Sequence, residues 1–220
     1  MKFFKAVFLT LFFFSLSASA LPVKWAFFGD STQAGATLIG SYYYPSNLTP
    51  SKVFYDEMTK AGKSVIVNNY AVGGTTLQNF LDGTSGYAGK GNAAVQLSAL
   101  DHKYIVVNWG INDVFTVGWT PALHKARLLQ LLRICQAQGK VLVLETPSPI
   151  NYLHDTYLSQ LALATIEFGA QNNVRVVSPY HTIKNWWTGW QYYLSDTIHP
   201  TEQLYWYIGV VLFAGLKDLN

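Results

Sequence analysis

Short apolar segments alternate with longer amphipathic segments along most of the 220-residue chain. The short segments are nearly continuous runs of valine, isoleucine, leucine and aromatic residues, without a polar residue at every second position. That pattern is typical of parallel strands covered on both faces. It predicts strands at residues 23–28, 64–69, 104–108, 140–145 and 174–177. The amphipathic segments predict helices at residues 51–61, 92–100, 120–138, 156–171 and 201–216.

The alternation of strands and helices predicts the α/β class, as a three-layer α/β/α sandwich with a mainly parallel sheet. No repeat, low-complexity run or linker divides residues 21–220, so we expect one domain there. Residues 40–50 are rich in tyrosine and polar side chains, and we predict a loop for them.

The first twenty residues have the pattern of an export signal. Lys2 and Lys5 form a positively charged start, an apolar run covers residues 6–16, and Ala18-Ser19-Ala20 resembles a cleavage site. The apolar run is too short to span a bilayer comfortably. We expect a signal peptide over residues 1–20, cleavage after Ala20, and a secreted or periplasmic protein. An uncleaved N-terminal anchor is the alternative.

Composition narrows the class of partner. Charged residues make up 12% of the chain and aromatic residues 15%. The formal net charge is +3, and two of these charges are Lys2 and Lys5, so the mature chain is nearly neutral. No basic segment could follow a phosphate backbone, which argues against nucleic acid. We expect a neutral partner, such as a sugar, an ester or an apolar acyl chain.

Polar residues suited to catalysis follow the predicted strands. Ser31 follows the first strand in a Gly-Asp-Ser turn, Gly73-Gly74 follows the second, and Asn112 follows the third. Asp196 and His199 come after the fifth. Because the carboxyl ends of parallel strands lie at one edge of a sheet, we expect these residues to meet in one crevice.

The spacing of these residues fits nucleophilic catalysis. Asp196 and His199 are three positions apart, so the carboxylate can contact the ring, whose other nitrogen would face Ser31 as a base. The backbone N–H groups of Ser31 and Gly74, with the Asn112 amide, would form an oxyanion hole. Each residue taken singly also fits a structural role in a turn or helix cap. No histidine shows metal-ligand spacing, so we expect no metal.

Four motifs resemble those of the SGNH, or GDSL, hydrolase superfamily, in the same order and across essentially the whole mature chain. They are Phe28-Gly29-Asp30-Ser31, residues 69–74, Gly110-Ile111-Asn112-Asp113 and Asp196-Thr197-Ile198-His199. The resemblance implies a flavodoxin-like sheet of about five strands, without cofactor or metal. It also implies Ser31 as nucleophile, His199 as base and Asp196 as its partner. It implies Ser31, Gly74 and Asn112 as oxyanion donors.

Tryptophans near the motifs are candidates for the wall of a substrate pocket, since aromatic faces suit sugar rings and acyl chains. These are Trp109, Trp187 and Trp190. Packing into the core or into a loop is the alternative.

A secreted serine esterase that forms an acyl-enzyme is the function that we favour. Its substrates would be small acyl esters such as O-acetyl groups, including those of carbohydrates. Alternatives are a lipid esterase or lysophospholipase, a thioesterase, an O-acyltransferase with the same residues, and a carbohydrate-binding module with a dead site. Peripheral contact with lipid or a cell-wall polymer fits several of these functions. The sequence leaves the oligomeric state open.

Overall fold

The computed structural model describes residues 21–186 and 188–219. The predicted signal peptide, residues 1–20, and the candidate pocket residue Trp187 lie outside the described residues. Across the described part of the chain, no helix has both the length and the apolar composition of a membrane span.

Strands and helices alternate along the described chain as the sequence pattern predicts. The strands are β1 (Val23–Gly29), β2 (Ala36–Ile39), β3 (Tyr42–Pro45), β4 (Val65–Asn69), β5 (Tyr104–Asn108), β6 (Val141–Glu145) and β7 (Arg175–Val177). The α-helices are α1 (Ser31–Ala34), α2 (Pro50–Lys60), α3 (Leu77–Asp82), α4 (Ala93–Ser98), α5 (Pro121–Ala137), α6 (Asp155–Asn172), α7 (Pro179–Trp186) and α8 (Glu202–Leu216).

The main sheet has five strands in the order β4-β1-β5-β6-β7, and each neighbouring pair is parallel. Counted within this sheet alone, the order is 2-1-3-4-5, which is the flavodoxin-like arrangement. The predicted α/β fold with a five-stranded parallel sheet is therefore confirmed. All five carboxyl ends lie at one edge.

Apolar side chains pack on both faces of this sheet and create the three layers. Along β1, Trp25 and Phe27 belong to one core cluster, whereas Ala26 and Phe28 belong to a second cluster on the other face. The first cluster lies under α2, α8 and Ile183 of α7, and the second lies under α3, α4, α5 and α6. Successive side chains of a strand point to opposite faces, so a continuous apolar run satisfies both layers.

Capping residues explain where two of the longer helices begin. The side chains of Thr49 and Thr120 accept hydrogen bonds from the backbone N–H groups of Lys52 and Leu123, and each threonine is followed by proline. Such a cap satisfies a backbone N–H group that has no partner within the helix. Proline at the first helical position has no N–H group of its own, so it leaves none unpaired there. Consequently α2 and α5 start within one residue of their predicted positions.

The tyrosine-rich segment after α1 forms a hairpin, so the prediction of a loop for residues 40–50 is wrong in part. β2 and β3 pair antiparallel with Ile39 opposite Tyr42, so the turn consists of Gly40 and Ser41. The prediction fails for residues 42–45, whereas residues 46–49 belong to no helix or strand. Gly40 has a φ of +63°, which glycine adopts without steric cost. Every residue of β3 is exposed, so no apolar periodicity marks the strand in the sequence.

Candidate active site

Ser31 lies just beyond the carboxyl end of β1. The strand ends at Gly29, Asp30 is the N-cap of α1, and Ser31 is the first residue of that helix. A Cβ atom at Gly29 would come within 2.4 Å of the carbonyl oxygen of Asn108, so only glycine permits this close approach of β1 to β5. Asp30 accepts hydrogen bonds from the backbone N–H and the hydroxyl of Thr32, at 2.9 and 2.8 Å. These contacts hold the turn that presents Ser31 at the sheet edge.

Three side chains form a hydrogen-bonded row at this edge. Ser31 Oγ lies 3.0 Å from His199 Nε2, and His199 Nδ1 lies 2.8 Å from Asp196 Oδ2. Ser31 and His199 are 168 positions apart in the sequence, so the fold brings them together. In this geometry Nε2 can accept the hydroxyl proton while the carboxylate orients the ring.

The segment around Asp196 favours the ionised form of its side chain. Oδ1 accepts hydrogen bonds from the backbone N–H groups of Ile198 and His199, both at 2.6 Å. Partial burial acts to raise the pKa of Asp196, but these two bonds and the bond from the His199 ring outweigh burial and lower the pKa from its usual value. Asp196 is therefore a carboxylate at neutral pH and can stabilise a protonated imidazole.

The residues expected to bind an oxyanion line the same cleft, which has a volume of about 380 Å³. Asn112 Nδ2 donates a hydrogen bond to the carbonyl oxygen of Thr75 at 3.0 Å, which orients the amide and uses one of its two N–H groups. A Cβ atom at Gly73 would lie 3.6 Å from Ser31 Cβ, so the glycine turn runs directly beside the serine. Gly74 adopts a φ of +72° in that turn. Its choice over Gly73 as the donor stays a prediction.

Apolar and aromatic residues that the sequence analysis did not single out complete the cleft. They are Ala36, Tyr43, Ile111 and Ile198. The two isoleucines adjoin Asn112 and His199, so their position could have been inferred from the motifs. Tyr43 reaches the cleft from β3, and its only signal in the sequence is the run of three tyrosines at residues 42–44.

Two of the three tryptophans expected in the pocket wall, Trp109 and Trp190, lie elsewhere. Trp109 is only 3% exposed, and its indole stacks with Phe80 in the core and donates to Thr75 Oγ1 at 3.3 Å. Trp190 is 5% exposed and belongs to the core cluster on the other face of the sheet. Burying an indole removes a large apolar area from water, so core positions stabilise these two side chains more than a cleft rim would. Neither presents its face to a ligand.

Three carboxyl groups are buried close to this edge of the sheet: Asp30, Asp113 and Glu145. Burial raises the pKa of Asp30 to about 6, that of Asp113 to about 7 and that of Glu145 to about 8, against the opposing effect of their hydrogen bonds. The charge of Asp30 contributes to the rise at the other two. Each group has one oxygen without a hydrogen-bond partner among the described residues. Glu145 is therefore mostly neutral at pH 7.

Glu145→Gln is expected to become more stabilising, relative to the wild type, as the pH rises. The folded protein holds a proton on Glu145 up to about pH 8, whereas the unfolded chain releases it near pH 4.5, so the wild type loses stability across this interval. Glutamine resembles the protonated acid and does not titrate. The free energy of unfolding, measured with urea at both ends of the interval, should shift in favour of the variant by a few kcal/mol. Glu167→Gln, at an exposed position, provides the control. If the difference in the free energy of unfolding between Glu145→Gln and the wild type did not change with pH, the raised pKa of Glu145 would be contradicted.

Two further observations on the described residues concern a metal site and a second groove. Within residues 21–186 and 188–219, no group of three or more histidine, cysteine, aspartate or glutamate side chains is arranged to hold a metal. A larger groove, of about 750 Å³, lies at the opposite edge of the sheet, beside the first residues of β6 and β7. None of the predicted site residues lines that groove.

A known protein family matches most of the chain, including the residues of the cleft. The sequence profile of the GDSL-like lipase/acylhydrolase family matches residues 27–207, a span that includes Ser31, Asn112, Asp196 and His199. The chain belongs to this family. The resemblance that the four motifs indicate is thereby confirmed, and membership supports an esterase or hydrolase activity. No curated protein matches the sequence.

Solved structures of other hydrolases share the GDSL fold of this chain at low sequence identity. A lipase/acylhydrolase from Enterococcus faecalis is 18% identical, with a TM-score of 0.72 over 89% of this chain and 95% of its own. An aryl esterase from M. smegmatis is 17% identical, with a TM-score of 0.71 over 90% of this chain and 100% of its own. A carbohydrate acetylesterase from Sinorhizobium meliloti is 14% identical, with a TM-score of 0.69 and the same coverage as the aryl esterase. At these identities, the similarity establishes the fold.

Proposed function

We propose that this GDSL-family protein is a secreted serine ester hydrolase that works through an acyl-enzyme. The observation that carries the proposal is the hydrogen-bonded row of Ser31, His199 and Asp196 beside an open cleft. His199 Nε2 takes the hydroxyl proton while Ser31 Oγ attacks the ester carbonyl carbon, and Asp196 stabilises the imidazolium that forms. The imidazolium then donates that proton to the departing alcohol, which leaves an ester of the acid with Ser31.

Water completes the reaction in the second half. His199 takes a proton from a water molecule while the water oxygen attacks the carbonyl carbon of the acyl-enzyme. The same proton passes to Ser31 Oγ when the acid leaves. In both halves negative charge develops on the carbonyl oxygen. The N–H groups of Ser31 and Gly74 and the Asn112 amide are assigned to stabilise it. The bond from Asn112 to Thr75 supports this assignment, because a donor that is already oriented needs no reorganisation during the reaction.

Small acyl esters, such as O-acetyl groups on carbohydrates, are the proposed substrates. The cleft beside Ser31 has a volume of only about 380 Å³, and Ala36, Ile111 and Ile198 supply apolar contacts for a short acyl group. The nearly neutral mature chain suits an uncharged substrate. A carbohydrate acetylesterase among the proteins that share the fold supports the same class. Export by the signal peptide over residues 1–20 would bring the enzyme to cell-wall polymers or lipid surfaces.

The dependence of hydrolysis on acyl-chain length tests this proposal. With para-nitrophenyl esters from acetate to dodecanoate, we expect kcat/KM to be highest for acetate and to decrease with each longer chain. The reason is that the cleft offers apolar contacts for few methylene groups. An optimum at long chains would indicate a lipid esterase or thioesterase instead. Failure to hydrolyse any of these esters would contradict the proposal of an ester hydrolase.

Two alternatives to the ester hydrolase differ from it in a measurable property. An O-acyltransferase would use the same side chains, with a sugar hydroxyl in place of water, so analysis of products with an added acceptor sugar distinguishes it. A carbohydrate-binding module with a dead site would depend on exposed tryptophans. Trp190 is one of the tryptophans on which that alternative rested, and its burial leaves its ring unavailable to a sugar.

A further inference from the structure

The β2–β3 hairpin forms hydrogen bonds with the segment that carries Asp196 and His199. Its two strands pair with each other and lie outside the main sheet. Its contacts with the rest of the described chain include four hydrogen bonds that span 153 to 169 positions of sequence. These run from Thr37 Oγ1 to the Pro200 carbonyl (3.1 Å), from Leu38 N–H to Ser195 Oγ (2.9 Å), from the Tyr43 hydroxyl to Asp196 Oδ2 (3.0 Å) and from the Tyr205 hydroxyl to the Ala36 carbonyl (2.6 Å).

Tyr43 makes the contact closest to the reacting groups. Its hydroxyl donates to Asp196 Oδ2, the same oxygen that lies 2.8 Å from His199 Nδ1. Its ring centroid lies 4.8 Å from that of the His199 ring, with an angle of 59° between the planes. The side chain thus touches both members of the pair from the solvent side, and it also lines the cleft beside Ser31.

A second bond network holds the backbone of the same segment. Ser195 Oγ accepts from Leu38 N–H and donates to the His199 carbonyl at 3.0 Å, and the Ser195 N–H donates to that same carbonyl at 2.7 Å. The hairpin therefore contacts the Ser195 hydroxyl before the turn and the Pro200 carbonyl after it, as well as the Asp196 side chain.

We propose that the β2–β3 hairpin positions the Asp196–His199 segment, and that Tyr43 is the positioning residue that acts on the carboxylate and the ring. The proposal rests on the proposed function, since it assigns Tyr43 a part in the work of the catalytic pair. Asp196 Oδ2 shares its negative charge between the Tyr43 hydroxyl and His199 Nδ1. Removal of the Tyr43 hydroxyl leaves the Asp196 carboxylate with one hydrogen-bond donor fewer and allows the His199 ring to reorient.

Few other ionisable groups act on this pair. Asp30 interacts electrostatically with His199 from the side of β1, and Tyr205 of α8 interacts electrostatically with Asp196. A substitution at Tyr43 would alter neither of these two electrostatic interactions. A change in the pH profile of a Tyr43 variant would therefore report on the Tyr43–Asp196 contact itself.

Tyr43→Phe, compared with Tyr42→Phe, tests this role. For para-nitrophenyl acetate we expect Tyr43→Phe to lower kcat by about five- to tenfold, because the His199 ring is no longer held in its orientation towards Ser31, and to leave KM unchanged because the aromatic ring at position 43 remains. The acid limb of the kcat/KM profile should move to higher pH, since a carboxylate with fewer donors stabilises the imidazolium more strongly. Tyr42 is 71% exposed and lies on the opposite face of β3, so its variant should match the wild type.

A spectroscopic measurement separates this proposal from the proposed function. The NMR resonance of the His199 Nδ1 proton should move in Tyr43→Phe and stay in place in Tyr42→Phe, whether or not an ester is turned over. Unchanged kcat, acid limb and resonance in Tyr43→Phe would overturn the positioning role. If the resonance moves but Ser31→Ala still hydrolyses the ester, the proposed function fails and the Tyr43–Asp196 contact remains supported.

Discussion

Ser31→Ala is expected to lower kcat for para-nitrophenyl acetate by about 10⁴-fold or more while the protein stays folded. The variant removes the only atom that the proposed mechanism uses to form the acyl-enzyme. Ser31 is the first residue of the short helix α1, where alanine is readily accommodated, so the unfolding midpoint should change little. Steady-state kinetics with burst-phase analysis would measure the loss. Ser98→Ala, at an exposed position of α4, serves as the matched control.

The combination with His199→Ala extends this test. Because the serine and the imidazole act in one step, the double variant should be scarcely less active than Ser31→Ala alone. Losses that multiply would show that the two side chains act independently. That result would be inconsistent with the 3.0 Å contact between Ser31 Oγ and His199 Nε2 being a catalytic one.

Asn112→Ala is expected to lower kcat by about 10²- to 10³-fold, with little change in KM. The amide is held by its bond to the Thr75 carbonyl, so its second N–H group is aimed before the substrate arrives. It would donate to the carbonyl oxygen mainly after negative charge has developed there. Its loss therefore raises the free energy of the transition state and scarcely affects the bound substrate. The separate determination of kcat and KM measures this difference.

Asn112→Asp provides the sharper comparison for the same side chain. Aspartate has nearly the same shape as asparagine but places an acceptor, usually charged, where the donor stood. We expect Asn112→Asp to be at least as impaired as Asn112→Ala. Activity close to that of the wild type in either variant would remove Asn112 from the oxyanion hole and would leave the backbone N–H groups of Ser31 and Gly74 as the candidates.

Much of the fold follows from local features of the sequence. The apolar run that forms β1 satisfies two core layers at once, so its burial is apparent without any tertiary information. Thr49-Pro50 and Thr120-Pro121 mark helix starts by local capping chemistry. The meeting of Ser31 with His199 follows from the parallel topology, because each lies beyond a strand end or near the chain terminus at the same sheet edge.

Other features depend on contacts that no local pattern encodes. Trp109 lies three positions before Asn112 in the sequence, yet its indole packs into the core, and the local sequence is compatible with either orientation. The two strands of the β2–β3 hairpin are short and every residue of β3 is exposed, so hydrophobic periodicity does not reveal the hairpin. The contact between Tyr43 and Asp196 joins residues 153 positions apart, and Tyr43 lies on a strand of this hairpin.

The mass of the protein quenched with acid during turnover of para-nitrophenyl acetate tests the central claim most directly. We predict a population of molecules heavier by one acetyl group, with the added mass on the peptide that contains Ser31, and no such population in Ser31→Ala. Hydrolysis at full rate with the acetyl group on another residue, or an identical adduct in Ser31→Ala, would contradict the assignment of Ser31 as the nucleophile.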